Sequence, residues 1–241
     1  MNNQIKDIEK LLQSESAELI LDIATGRGEF IKLLQNTLKK YGKIIGIDNS
    51  APLLELNRKN FSDHRIEFIL MDALKLDFDD GYFDMVTISN SLHHFPQPSL
   101  LLREALRVLR KGGLLLINEM VSDPGQSEAQ QSHIMIHHWC SHIDRCRGIY
   151  HDCTYTKQEL SAIMAGLPTE SRIAYDYTYP LADPRNEPMI QAYSGLIDPY
   201  VEKIKGHIEY DRLKGEAEEI KLHLQEQGYA PADSIFFVLK K

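Results

Sequence analysis

The chain lacks most of what would place it in a membrane, in a secreted scaffold or on a nucleic acid. No apolar run approaches the ~18–20 residues that span a bilayer, so no membrane partner is expected. The opening stretch MNNQIKDIEKLLQSES is amphipathic and mixed in charge, unlike a signal or transit peptide. Cysteine is scarce: Cys140, Cys146 and Cys153 make an odd count without a C-x-x-C pair, which reads as a reduced, cytoplasmic protein. Basic clusters are equally scarce, Lys39-Lys40 and Lys240-Lys241 being the longest in a chain of net charge −8. A protein that grips a phosphate backbone clusters its Lys and Arg, so no nucleic acid is expected and a small-molecule substrate is.

What is present is an ordinary globular balance, 43% hydrophobic and 26% charged over 241 residues, enough for one α/β domain with an addition. Ile5, Ile8, Leu11 and Leu12 recur at helical spacing and predict a short helix over residues 4–14. A buried strand carrying Leu19, Ile20, Leu21 and Ile23 then runs into Gly26-Arg27-Gly28, and a helix follows to about Lys40, with Tyr41-Gly42 as its expected C-cap. Strands are expected at Lys43–Ile47, Ile66–Met71, Phe83–Ser89 and Leu114–Asn118. Between them lie a helix capped by Ser50 with Pro52 in its first turn, a helix over Pro98–Arg110, and a turn at Lys111-Gly112-Gly113. Five short buried strands alternating with helices predict a doubly wound parallel sheet.

Ligands of such sheets bind beyond the carboxyl ends of the strands. Gly26 and Gly28 follow the first strand, Asp48 the second, Asp72 the third, and Asn90, His93 and His94 the fourth. Closely spaced glycines let backbone N–H groups approach a ligand. An acid after the second strand can accept from both ribose hydroxyls, and one after the third from an adenine amine. An adenosine-containing cofactor fits that order. A dinucleotide fits less well, because G-x-G-x-x-G needs a third glycine where this chain has Ile31.

The stretches LDIATGRG, GIDNS, MDALKLDF, FDMVTISNSLHHF and REALRVLRKGGLLLINE resemble, in order, the motifs of class I S-adenosylmethionine-dependent methyltransferases, over about residues 15–120. The resemblance implies a Rossmann-like, seven-stranded, mostly parallel sheet, with Ser234–Leu239 as an antiparallel strand inserted between the fifth and sixth. It implies S-adenosyl-L-methionine as cofactor, held by Asp22, Thr25, Gly26 and Gly28, by Asp48 and Asn49, by Asp72 and Ala73, and by Asn90. The family's usual first loop glycine is Ala24 here, which predicts a slightly altered loop.

The expected organisation is a cofactor-binding half over 1–120, a helical lid insertion over 121–155, a return to the sheet over 156–182, a second helical insertion over 183–230 and the final strand over 231–241. Asp123-Pro124 is the expected start of the first insertion's helix, Thr156-Lys157-Gln158-Glu159 a capping box, and Ser171–Thr178 the sixth strand. The second insertion reads as helical over 186–227, interrupted at Asp198-Pro199 and near Gly206. Both insertions follow the ligand end of the sheet, so they are expected to close over one pocket.

The first insertion is rich in histidine. On a helix, His133, His137 and Asp144 share one stripe with Cys140 nearby, and His138, His142 and Arg145 a second. Polar-face residues of a lid helix are the leading reading of these histidines, ahead of a substrate-binding or general-base role for one or two of them and of a metal site. His94, His138 and His142 are the catalytic candidates, histidine being poised near neutral pH. Ligand spacing at His133, His137, Asp144 and Cys140 matches no known motif, and no metal is assigned. The expected activity is methyl transfer to a small molecule by in-line displacement, with a homodimer left open. The competing readings are a nicotinamide-dependent oxidoreductase and a non-catalytic cofactor-binding module. The sequence Asn90-Ser91-Leu92-His93 is not the Asn/Asp-Pro-Pro-aromatic motif of amino-directed DNA methyltransferases.

Overall fold

A computed structural model describes residues 3–180 and 183–241. The expected boundary at 182/183 and the side chain of Ile5 lie outside the described residues. Seven strands, β1 (Ser16–Ile23), β2 (Lys40–Asp48), β3 (Ile66–Leu70), β4 (Phe83–Ser89), β5 (Leu109–Met120), β6 (Ser171–Tyr177) and β7 (Ser234–Lys240), form one sheet in the order β3-β2-β1-β4-β5-β7-β6. β7 runs antiparallel to both neighbours and the other pairs are parallel. The α/β Rossmann-like sheet with its inserted antiparallel strand is as expected.

Alternation of side chains along the strands divides the core into two layers. Leu21, Ile45, Val86, Leu115 and Phe237 face α4 (Pro98–Val108) and α6 (Lys157–Ala165). Ile20, Ile44, Met85, Leu116 and Phe236 face the opposite layer, built from α1 (Asn3–Ser14), α2 (Glu29–Thr37) and α3 (Ala51–Asn60). A third apolar cluster stands apart from the sheet. In it Trp139 and Ile143 of α5 (Glu128–Cys146) pack with α7 (Glu187–Val201) and α8 (Tyr210–Gln227) through Ile197, Val201, Leu213, Ala217 and Ile220. The Trp139 indole N–H donates to the Leu213 carbonyl at 2.8 Å. The two insertions thus share a core of their own.

Local boundaries moved where tertiary pairing outweighed local signals. Tyr41-Gly42 is not a C-cap but lies inside β2: the helix ends at Thr37, Leu38 turns extended (ψ 139°), and the Tyr41 ring is buried beneath the Arg65 guanidinium at 4.1 Å. Lys111-Gly112-Gly113 is an irregularity within β5, where the register jumps from Phe83–Leu109 to Met85–Leu114. α5 starts four residues after Asp123-Pro124, at a capping box formed by Ser127 and Gln130. Asp123 instead accepts the Lys157 N–H at 2.8 Å, at the start of α6. Pro199 lies within the last turn of α7, and the break near Gly206 separates it from α8.

Candidate active site

A cavity of about 500 Å³ opens across the carboxyl ends of β1, β2, β3 and β4. Asp22, Thr25, Gly26, Asp48, Asn49, Asp72, Ala73 and Asn90 all line it. Gly28 does not. It is the N-cap of α2 at φ +76°, and a Cβ there would meet the Phe61 ring at 2.7 Å, behind the loop.

The loop after β1 is held in left-handed conformations, with Gly26 at φ +52° and Ala24 at φ +54°. The alanine therefore does not alter the loop by staying at negative φ. It adopts a conformation a glycine would take freely, at a strain of ~1–2 kcal/mol for a residue with a Cβ. Asn90, across the cavity, is also left-handed at φ +46°; its side-chain oxygen accepts the Met120 N–H at 2.8 Å, and asparagine tolerates that region better than most residues. Two non-glycine residues in sparsely populated backbone regions, both lining the cavity, are the pattern of a functional site.

Asp22 is buried at the cavity floor, where its carboxylate accepts from the Thr25 and Thr87 hydroxyls, each at 2.6 Å. Burial pushes its pKa up to about 6 against the opposing pull of those two hydroxyls, and Asp48 adds to the rise. Asp48 joins two elements: one oxygen accepts the Gly26 N–H and the other the Ser50 N–H, both at 2.9 Å. A carboxylate has about four acceptor positions, so two remain for a ligand. Asp72 is exposed and accepts the Leu74 N–H at 2.9 Å through one oxygen, the second having no partner among the described residues.

Two supporting residues escaped the sequence reading. Asn57 of α3 is fully buried, and its amide donates to the Gly26 carbonyl at 2.8 Å, bracing the loop from behind. Glu119, also fully buried, ends β5 and accepts the Ser91 and Leu92 N–H groups at 2.7 and 2.9 Å, fixing the turn that carries His93 and His94. The polar pair Asn118-Glu119 ending an apolar strand was the available signal.

The histidines separate. His94 lines the cavity beside Phe95. Burial, with His93 and His151 nearby, lowers its pKa to about 3, so it meets the cavity as a neutral imidazole. His138 faces away and pairs with the Thr154 hydroxyl at 2.9 Å, while its Nε2 also accepts the Thr154 N–H. His142 lies outside the cavity lining as well, near Arg145, Arg212 and Glu216. The expected stripe of His133, His137, Asp144 and Cys140 does not converge either. His133 accepts the Ala232 N–H, Cys140 joins the third apolar cluster, and Asp144 turns to His151. Of the two insertions only Ile149 and Tyr150 reach the cavity, and nothing from 183–230 lines it.

A sequence profile described as a methyltransferase domain matches residues 21–117. The match takes in the ends of β1 to β4 that line the cavity and covers less than half of the chain. A demethylmenaquinone methyltransferase of Thermotoga maritima is 35% identical over 116 residues, or 48% of this chain and 49% of that protein. A ubiquinone/menaquinone biosynthesis C-methyltransferase of Pseudomonas savastanoi is 36% identical over 42% of this chain and 41% of its own length. The chain thus spans about half the length of the curated relatives it matches. Among solved structures, a candidate methyltransferase of Bacillus halodurans aligns over 100% of this chain and 99% of its own, with TM-score 0.60 and 18% identity. A phosphoethanolamine N-methyltransferase of Haemonchus contortus, in complex with S-adenosylhomocysteine, covers 100% of this chain and 52% of that one, with TM-score 0.58 and 17% identity. At these identities the structures share the methyltransferase domain's fold.

Proposed function

We propose that the chain is an S-adenosylmethionine-dependent methyltransferase acting on a small-molecule acceptor. The observation that carries this reading is Asp48. Its carboxylate is anchored by the Gly26 and Ser50 N–H groups, keeps two acceptor positions free, and faces a cavity continuous from the loop after β1 to Asp72. These residues fit the cofactor. Asp48 and Asn49 hold the ribose, and Asp72 and Ala73 border the adenine. Asp22, Thr25 and Gly26 take the methionine end, and Asn90 closes the floor. Fully buried Ile31, where a dinucleotide loop needs glycine, argues against a pyrophosphate cradle.

The bound cofactor supplies an electrophilic methyl group on a sulfonium. The chain's own contribution is alignment and exclusion of water. The left-handed backbone at Ala24 and Gly26 sets one wall, and His94, Phe95, Ile149 and Tyr150 border the side from which an acceptor approaches. At a pKa near 3, His94 is too weak a base to take a proton efficiently at neutral pH, so its part is to accept a hydrogen bond and orient the acceptor. The quinone names of the relatives make a hydroxylated aromatic ring the first acceptor to try. Three free cysteines fit a cytoplasmic setting.

Calorimetric titration with S-adenosylhomocysteine and with NAD tests the proposal. Binding of the first and not the second is expected, and tight NAD binding alone refutes it.

A further inference from the structure

Beside the cavity, three histidines from three different segments converge: His93 from the turn after β4, His137 from α5, and His151 from the loop after it. One ring nitrogen from each lies within 4.8 Å of the other two. His93 and His151 are almost fully buried. His93 Nε2, His137 Nδ1 and His151 Nε2 are buried and have no hydrogen-bond partner among the described residues. Unsatisfied buried polar atoms are rare, and each one calls for an occupant. Here three belong to one cluster of rings.

The opposite nitrogens explain how two of the rings are aimed. His93 Nδ1 meets a Glu119 oxygen at 3.1 Å, and His151 Nδ1 meets an Asp144 oxygen at 2.9 Å. A carboxylate only accepts, so each Nδ1 is the donor, and in the neutral ring each Nε2 is left with its lone pair. Both carboxylates are themselves fixed. Glu119 holds two backbone N–H groups, and Asp144 accepts from the Tyr200 hydroxyl at 2.9 Å and from Arg147 at 3.0 Å. Carboxylate behind histidine, with the far nitrogen free, is the outer-shell arrangement of metal-bound imidazole.

From this geometry we infer a binding site for a divalent first-row transition metal, zinc foremost, with His93 and His151 coordinating through Nε2 and His137 as the third ligand. A tetrahedral zinc with bonds of ~2.0–2.1 Å holds its ligand nitrogens about 3.4 Å apart, so the trio, within 4.8 Å, closes by about 1.4 Å at most on loading. Nitrogen ligands select zinc, cobalt, nickel or iron over magnesium and calcium. The two carboxylates behind the rings balance the ion's charge.

Three protein ligands leave the fourth position for water or an incoming oxygen. The His94 ring, which lines the cavity, lies 4.1 Å from that of His151 and 4.5 Å from that of His93 between ring centres. The ion therefore fastens α5 and the 147–156 loop to the cofactor-binding sheet at the cavity's edge. This inference rests on the histidines and not on the methyltransferase reading.

The test uses chelator-stripped full chain titrated with Co²⁺, which in a four-coordinate nitrogen site absorbs strongly in the visible, followed by displacement with Zn²⁺. One equivalent is expected to bind, and zinc to raise the thermal midpoint. His137→Gln and His151→Gln should each weaken cobalt binding by at least about 100-fold, beyond the 10–100-fold typical of outer-shell changes. His142→Gln, outside the trio, should bind as the parent chain does. Calorimetry with S-adenosylhomocysteine on the same variants reports separately whether the cofactor site is intact. Absence of both cobalt binding and a zinc-induced rise in the midpoint of the unaltered chain overturns the site. So does cobalt affinity in His137→Gln and His151→Gln equal to that of the parent.

Discussion

Replacing Asp48 by alanine separates its two tasks. In the folded chain its carboxylate accepts the Gly26 and Ser50 N–H groups, both at 2.9 Å, in a half-buried setting. Water can reach such groups once the side chain is gone, so the stability loss is expected to be about 1 kcal/mol. Ligand binding is affected more. Two ribose hydroxyls donating to an anchored carboxylate make charge-assisted hydrogen bonds, each worth ~1.5–3 kcal/mol before competition with water. Asp48→Ala should therefore weaken S-adenosylhomocysteine at least tenfold, about 1.4 kcal/mol. Asp48→Asn, which keeps one acceptor oxygen, should fall between the two. Calorimetric titration at fixed salt measures the affinities, and thermal unfolding measures the stability. Unchanged affinity in Asp48→Ala, with the fold intact, would refute the ribose assignment.

Asp22 carries a pH signature. Its folded-state pKa is raised from the ordinary 3.8 to about 6, so the folded chain binds the proton more tightly than the unfolded chain, and stability falls as pH rises through that window. At about 1.4 kcal/mol per pH unit the effect approaches about 3 kcal/mol, and the stability difference between Asp22→Asn and the parent should shift by that order between pH 4 and 7 in denaturant titrations; a flat difference contradicts the assignment. Ala24→Gly relieves the left-handed alanine, ~1–2 kcal/mol, against ~0.4–1 kcal/mol of added chain entropy, so the thermal midpoint should rise by up to a few degrees, and a fall would show that no strain is stored there. Glu119→Ala leaves two buried N–H groups and the His93 ring without their acceptor and should destabilise by about 3 kcal/mol or more in urea unfolding; a loss below about 1 kcal/mol would show that the turn is held by other contacts.

What the sequence by itself determined is the part of the protein that is local and periodic. Strand–helix alternation prescribed the sheet, and the resemblance to methyltransferases prescribed its inserted antiparallel strand. Polar residues at successive strand ends mark Asp48, Asp72 and Asn90 on the cavity wall, and the resemblance adds Asp22 and Thr25. These features were legible because each depends on residues within one βα turn. The ends of elements were less so. Whether Tyr41-Gly42 caps a helix or joins β2 is settled by pairing with β1, and the strain at Ala24 exists only because the surrounding loop imposes it.

Helical spacing on α5 placed His133, His137, Asp144 and Cys140 on one stripe, but spacing along one helix says nothing about what the other elements bring to it. Only the tertiary structure carried His93 and His151 to His137, from positions 44 residues upstream and 14 downstream, and set Glu119 and Asp144 behind two of the rings. It also turned His138 and His142 away and left His94 alone at the cavity. A polar network of this kind is made by contacts between distant segments whose individual signals, a histidine here and an acid there, carry no information about direction until the chain has packed.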